Sequence, residues 1–321
     1  MVLDKFLNPQ VLRSKSYLAV PIGFFFVILS FFSTAVVFPA EYSVIVVAFA
    51  SMLTLPYVIK IFEIDELNID LSEIKVGGEL KKEELETWVR KCLRDGFTPK
   101  QIKRSLIENN MEKDILLLYG LGVLDDLNTK YVRESNFFTR HSKTVSFYCY
   151  LFIGMVLAFL VAYMLSSDEF RAVLFKHQIN MIYGPKGMFG LPSIFYTIIA
   201  NNIKIMLLCV FLSLFYGSGA ILILAYNASI AGVLYGNFMN KAIVGESVKL
   251  VGAYLPHTTI EILAYLLAAV SGGILSKSLA EMEPGSRKLL LKDGLLFLIA
   301  GIVLTLVSGL VEVTIPQWIL S

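Results

Sequence analysis

Residues 145–166 read VSFYCYLFIGMVLAFLVAYMLS, twenty-two positions without a charged side chain. A helix rises about 1.5 Å per residue, so a run of this length can cross the roughly 30 Å hydrocarbon core of a bilayer. This stretch therefore predicts a transmembrane helix.

Composition extends that prediction to the whole chain. Of its 321 residues, 56% are hydrophobic and only 17% are charged, whereas soluble domains carry about 25% charged residues. Six further apolar runs meet or nearly meet the length of a span: 17–39, 43–62, 192–217, 219–238, 257–276 and 293–312. We predict an all-α polytopic membrane helix bundle of about seven transmembrane helices. Only Gly217–Gly219 separates the fourth run from the fifth, which leaves open a re-entrant or broken helix there.

The segment between the second and third runs has a different composition. Residues 63–143 hold 14 of the 28 basic and 16 of the 26 acidic residues, and 81–96 and 97–110 show the spacing of short amphipathic helices. We predict three parts: an N-terminal hairpin of two spans at 1–62, a small cytoplasmic helical insert at 63–143, and a membrane bundle of about five spans at 144–321.

The basic residues that flank the runs set the orientation, because cytoplasmic loops are enriched in Lys and Arg. They favour a multi-pass protein of the cell membrane with a cytoplasmic N-terminus and a C-terminus outside. The mixed segment at 168–192 then lies outside, along the membrane surface.

Several classes of protein are disfavoured. A net charge of +2 does not suggest nucleic-acid binding. Cys92, Cys149 and Cys209 are odd in number and far apart, so they suggest neither a disulfide framework nor a zinc site. The H-E-x-x-H motif is absent, and we expect no cofactor and no catalytic metal.

Polar side chains inside spans are candidates for function, because burying them in lipid is unfavourable. His257 and Glu261 are four residues apart, on one helix face, and Pro256 is predicted in the first turn of that helix. Lys204 lies at a depth that matches Glu261, so we expect it to neutralise Glu261 or Glu312. The predicted polar intramembrane cluster is Asn201, Asn202, Lys204, Asn227, His257, Glu261 and Glu312.

Small residues are dense in the same half of the chain, and they allow helices to approach closely. Gly232 and Gly236 form a G-x-x-x-G pair, which favours a homo-oligomer. The predicted helix-packing residues are Gly217, Gly219, Gly232, Gly236, Gly272 and Gly273.

Three roles remain open for the polar cluster. It can be a buried network that fixes helix packing and holds an assembly together, a transport or proton-relay site, or part of an intramembrane hydrolase. A single histidine inside the spans makes a metal enzyme the weakest of the three.

The order and spacing of these residues resemble the stage II sporulation protein M family over about residues 145–321. The matching features are the Asn-Asn-x-Lys of 201–204, the Gly-rich turn at 217–219, Asn227, the His257 and Glu261 pair after Pro256, and Glu312 before Pro316. Thr258 and Ala228 stand where the family commonly has glycine.

The resemblance implies an α-helical membrane protein whose sporulation member is a scaffold that anchors peptidoglycan-degrading partners. Members also occur in organisms that do not sporulate, archaea among them. Because the first two spans and the insert lie outside the family core, we interpret the chain as a relative of that kind.

We therefore expect a non-catalytic membrane scaffold or subunit of a membrane-associated assembly. Its partners are the lipid bilayer and proteins bound through the insert or the bundle. The alternative is a transporter or channel for a small solute, ion or proton.

Overall fold

A computed structural model describes residues 12, 15–37, 42–63, 82–94, 102, 106, 136–183, 191–243, 248–280 and 284–320. Within them all regular structure is helical. The helices are α1 (Ala19–Val37, after a 3₁₀ turn at Ser16–Leu18), α2 (Tyr42–Glu63), α3 (Lys82–Arg94), α4 (Phe137–Arg140), α5 (Ser142–Leu165), α6 (Asp168–Leu174), α7 (Lys176–Tyr183), α8 (Leu191–Tyr216), α9 (Ile221–Ile243), α10 (Val248–Ala280) and α11 (Pro284–Leu320).

Seven of these helices, namely α1, α2, α5 and α8 to α11, are long and apolar enough to cross a membrane. The predicted all-α membrane bundle with about seven spans is therefore confirmed. Helices α8 and α9 are separate and unbroken, and Gly217 connects them with a φ of 64°, a conformation that glycine adopts without steric cost.

The chain divides into two compact units, Phe62–Ser142 and the remainder, Met1–Ile61 with Lys143–Ser321. In the smaller unit, α3 buries Trp88, Val89 and Cys92. Ile102 and Leu106 are also buried there, while most of the predicted helix at 97–110 lies outside the described residues.

In the larger unit, α1 packs directly against α5. A Cβ added to Gly23 would lie 2.5 Å from the carbonyl oxygen of Leu151, so the two backbones meet without an intervening side chain. Helix α2 packs beside α1, where the rings of Tyr57 and Phe26 are 5.3 Å apart.

Helices α8, α10 and α11 pack against one another. The Ser308 hydroxyl donates to the His257 carbonyl at 3.0 Å, and the Ser271 hydroxyl donates to the Gly294 carbonyl at 2.7 Å. These two bonds align α11 antiparallel to α10 over more than three turns.

Helices α10 and α11 are longer than their predicted spans. With 33 and 37 residues they extend about 50 and 55 Å, well beyond the hydrocarbon thickness. The prediction for Pro256 is wrong, since α10 begins at Val248 and Pro256 lies in the helix interior. It therefore removes one backbone hydrogen bond from the ladder.

Helices α6 and α7 fold back onto the bundle. Phe175 is buried and its ring packs against Phe31 and Tyr163. The Arg171 guanidinium donates to the carbonyls of Tyr163 and Met164, at 2.8 and 3.3 Å, and so caps the C-terminus of α5 with a positive charge.

Gln178 of α7 joins three helices with its side-chain amide. Its Nε2 donates to the carbonyl of Ser43 in α2 at 2.9 Å and to the Ser229 hydroxyl of α9 at 3.1 Å, and its Oε1 accepts from the Ser43 hydroxyl at 2.7 Å. The side chain is 1% exposed. A buried amide is stable only when its donors and acceptor are paired, as they are here.

Candidate functional site

The centre of the polar cluster is the hydroxyl of Tyr265 in α10. It lies 2.6 Å from Oε1 of Glu261 and 3.0 Å from Oδ1 of Asn202 in α8. Tyr265 is 1% exposed and Asn202 is 4% exposed. Because Glu261 and Tyr265 are four residues apart, the helix itself aligns them, while Asn202 ties the pair to a second helix.

A phenol carries one proton and cannot donate fully to two acceptors. In the orientation drawn, Nδ2 of Asn202 is buried without a hydrogen-bond partner. Rotation of the amide by 180° occupies the same volume and lets Nδ2 donate to the Tyr265 oxygen. The chain of donation then runs from Asn202 to Tyr265 and on to the Glu261 carboxylate.

His257 lies one turn before Glu261 on the same face of α10 and is 6% exposed. Its ring packs edge-on against Tyr254 at 5.7 Å, and its Nε2 is 3.4 Å from the Thr258 hydroxyl. Its carbonyl accepts the bond from Ser308 described above. The histidine is thus held both by its own helix and by α11.

Two carboxylates border the cluster. Glu261 and Glu312 are both half-buried, and both interact electrostatically with the Tyr265 hydroxyl. The hydroxyl of Tyr235 in α9 lies beside Thr259 and within electrostatic reach of Glu261. The cluster therefore involves α8, α9, α10 and α11.

The structure brings together four of the seven predicted polar residues: Asn202, His257, Glu261 and Glu312. Asn227 instead donates its side-chain amide to the carbonyl of Ile223 in its own helix, at 2.8 Å. Asn201 and Lys204 are exposed. Lys204 is two residues after Asn202, on the opposite face of α8, so the geometry gives no support to its pairing with Glu261 or Glu312.

Some members of the cluster were not predicted. Tyr265 continues the spacing of His257 and Glu261 by one further turn, and Ser308 lies one turn before Glu312. Both signals were present in the sequence, but tyrosine and serine are common in apolar helices and do not stand out there.

The predicted packing glycines allow close helix contacts within the chain. A Cβ on Gly232 would lie 2.5 Å from Cβ of Phe159, and one on Gly236 would lie 2.8 Å from Cδ1 of Tyr163. This face of α9 is therefore covered by α5 of the same chain and is not open to a second copy.

Two other predicted glycines also lie at close contacts. A Cβ on Gly272 would lie 2.6 Å from Cβ of Ser213 in α8, and one on Gly219 would lie 2.5 Å from the Leu212 carbonyl oxygen. Gly273 is buried in α10. Within the described part of the chain, no group of three or more His, Cys, Asp or Glu side chains is arranged to hold a metal ion.

A protein-family model described as Stage II sporulation protein M matches residues 145–316, which is more than half of the chain. The match runs from the first turn of α5 to near the end of α11 and includes every member of the polar cluster. No curated protein and no solved structure matches the chain.

Proposed function

Because the chain belongs to the Stage II sporulation protein M family, we propose that it is a non-catalytic membrane scaffold, or a structural subunit of a membrane-associated assembly. The family match and the seven apolar helices make it a membrane protein with several spans.

The observation that carries the proposal is how the buried polar groups are used. The Tyr265 hydroxyl joins α10 to Asn202 of α8, and the Ser308 hydroxyl joins α11 to the backbone of α10. In a membrane, where helices gain little from the hydrophobic effect on association, such bonds fix the packing of the bundle. A rigid bundle is what a scaffold needs in order to present fixed surfaces to its partners.

One observation favours transport as the second candidate. Glu261 and Glu312 are only half-buried, and Glu261 accepts a short bond from Tyr265. Carboxylates at the border of a bundle can take up and release protons as they gain and lose contact with water. Transport of a proton or small cation would require this pair to change partners.

Reconstitution distinguishes the two functions. The purified protein is placed in liposomes that enclose a pH-sensitive dye. We expect an imposed pH or potassium gradient to decay no faster than it does in empty vesicles. Flux that requires the protein and disappears in both His257→Ala and Glu261→Gln would overturn the scaffold proposal in favour of transport.

Isolation in a mild detergent tests the scaffold directly. We expect the protein to leave its native membrane in a complex larger than one chain, with other proteins present in fixed proportion. His257→Ala should retain that composition, because the cluster is internal. We further propose a cytoplasmic N-terminus and an outside C-terminus, which a C-terminal reporter active only on one side of the membrane tests.

A further inference from the structure

Helix α8 has an exposed face that carries polar residues in the middle of a membrane span. Of the seven candidate spans among the described residues, Phe195–Tyr216 has the lowest share of buried residues, 22%. The exposed positions recur every three or four residues along one side. They are Tyr196, Thr197, Ala200, Asn201, Lys204, Leu207, Leu208, Phe211 and Phe215.

Lys204 lies at the centre of this face. It is thirteen residues after Leu191 and twelve before Tyr216, or about 20 and 18 Å from the two helix ends at 1.5 Å per residue. Lysines near helix ends extend their ammonium groups to the membrane surface, but this position is as far from both ends as the helix allows. Among the residues that the structure describes, no side chain bonds to or pairs with Lys204.

An ammonium group without a partner at this depth is unfavourable in lipid, and charged residues within membranes almost always pair with another group. Asn201 lies one turn before Lys204 on the same exposed face, and its amide can bond across to another helix. Thr197 and Ala200 are small, so a second helix can approach α8 closely beside the two polar groups.

We propose that this face binds a transmembrane helix of a partner protein that carries an aspartate or glutamate near mid-membrane, with Lys204 as its counter-ion. The inference rests on the proposed scaffold function and names the surface that the scaffold uses. Charge decides the chemistry of the occupant, because only an acidic residue both neutralises Lys204 and satisfies its hydrogen-bond donors.

A second copy of the chain fits this face less well. A two-fold dimer formed through α8 would have its symmetry axis along the membrane normal. The two copies of Lys204 would then face each other at the same depth. Two like charges in a medium of low dielectric constant repel strongly. The helix that complements this face therefore comes from a different protein.

Photo-cross-linking in the native membrane tests the inference. A benzophenone amino acid replaces Leu208, which is 48% exposed one turn after Lys204. A matched control carries the same group at Val303 of α11, which is 52% exposed. We expect a discrete protein adduct from position 208 and only lipid adducts from position 303. The cross-linked peptide should be a membrane span with an Asp or Glu near its centre.

The charge of Lys204 is tested in the same experiment. Lys204→Met should lower the yield of the adduct about 3- to 30-fold, the range that follows from one polar contact between membrane helices, while Lys204→Arg should preserve most of it. Because no side chain in the described part of the chain pairs with Lys204, the Met variant should be produced in at least the amount of the wild type.

Three results would overturn the inference: adducts with lipid alone at position 208, an adduct of two copies of this chain, or a protein adduct equally abundant in Lys204→Met. The scaffold proposal fails separately, if the isolated protein carries no other protein in fixed proportion. If the complex is unchanged in Lys204→Met, the scaffold proposal stands, but the partner binds at a surface other than this face of α8.

Discussion

Substitution of Tyr265 by Phe removes one oxygen from the centre of the polar cluster and leaves the ring in place. Two contacts are lost, the 2.6 Å bond to Glu261 and the 3.0 Å contact with Asn202. Glu261 is half-buried, so water can replace the lost bond. Loss of the bond to Glu261 should therefore lower the free energy of unfolding by about 1.5 kcal/mol, near the lower end for a bond to a charged group. Asn202 is 4% exposed, so water cannot replace the contact with its amide. Loss of that contact should lower the free energy of unfolding by about 1 kcal/mol.

We therefore expect Tyr265→Phe to lower the free energy of unfolding by about 2 to 3 kcal/mol. The assay is reversible unfolding of the purified protein in mixed detergent micelles, followed by circular dichroism. Tyr196→Phe is the matched control, because Tyr196 is exposed on α8, and it should change the free energy by less than about 0.5 kcal/mol.

A double-mutant cycle sharpens this test. The double variant Tyr265→Phe/Asn202→Ala should lose about 1 kcal/mol less stability than the sum of the two single losses, because both substitutions remove the same contact. Strict additivity, or a Tyr265→Phe protein as stable as the Tyr196→Phe control, would refute the assignment of Tyr265 as the bridge between α8 and α10.

Three further substitutions test the packing of the bundle. Gln178→Leu removes three hydrogen bonds from a buried site and should lower the free energy of unfolding by about 3 kcal/mol. It should also speed protease cleavage within residues 166–190. The neighbouring His177→Ala should change neither the free energy nor the cleavage rate. Asn202→Ala should destabilise the isolated protein by at least about 1 kcal/mol. Its control is Asn201→Ala, on the exposed face, whose stability should stay within about 0.5 kcal/mol of the wild type. Equal effects of the two substitutions would contradict the assigned faces of α8. Gly236→Leu forces side-chain atoms against α5 and should lower the yield of folded protein, measured by size-exclusion chromatography, and a normal yield would show that α5 and α9 do not pack as described.

The membrane architecture could be predicted because its cause lies in the sequence itself. A helix must be about 20 apolar residues long to cross a bilayer, and the sequence displays that length seven times. The helix ends could not be placed in the same way. Helices α10 and α11 continue into polar segments such as 284–292, where backbone hydrogen bonding maintains the helix but hydropathy gives no signal.

Contacts between different helices of the polar cluster were predicted from matching depths alone, which leaves out the rotation of each helix about its axis. Depth alone gives Lys204 and Asn202 similar positions, but two residues along a helix correspond to about 200° of rotation. That rotation places Asn202 against Tyr265 and turns Lys204 outward. A pattern of Gly232 and Gly236 likewise predicts close packing without identifying the neighbour, which is α5 of the same chain.

The pairing of Gln178 has a consequence for the order in which the chain assembles. Ser43 precedes Gln178 in the sequence, whereas Ser229 is emitted from the ribosome about fifty residues later. When α7 first leaves the insertion machinery, one of its amide partners does not yet exist. The side chain of Gln178 can therefore make its two bonds to Ser43 first, and its pairing is complete only once α9 has been inserted. The bond to Ser229 is thus the last of the three to form, and it forms only when α9 lies in its final position beside α7.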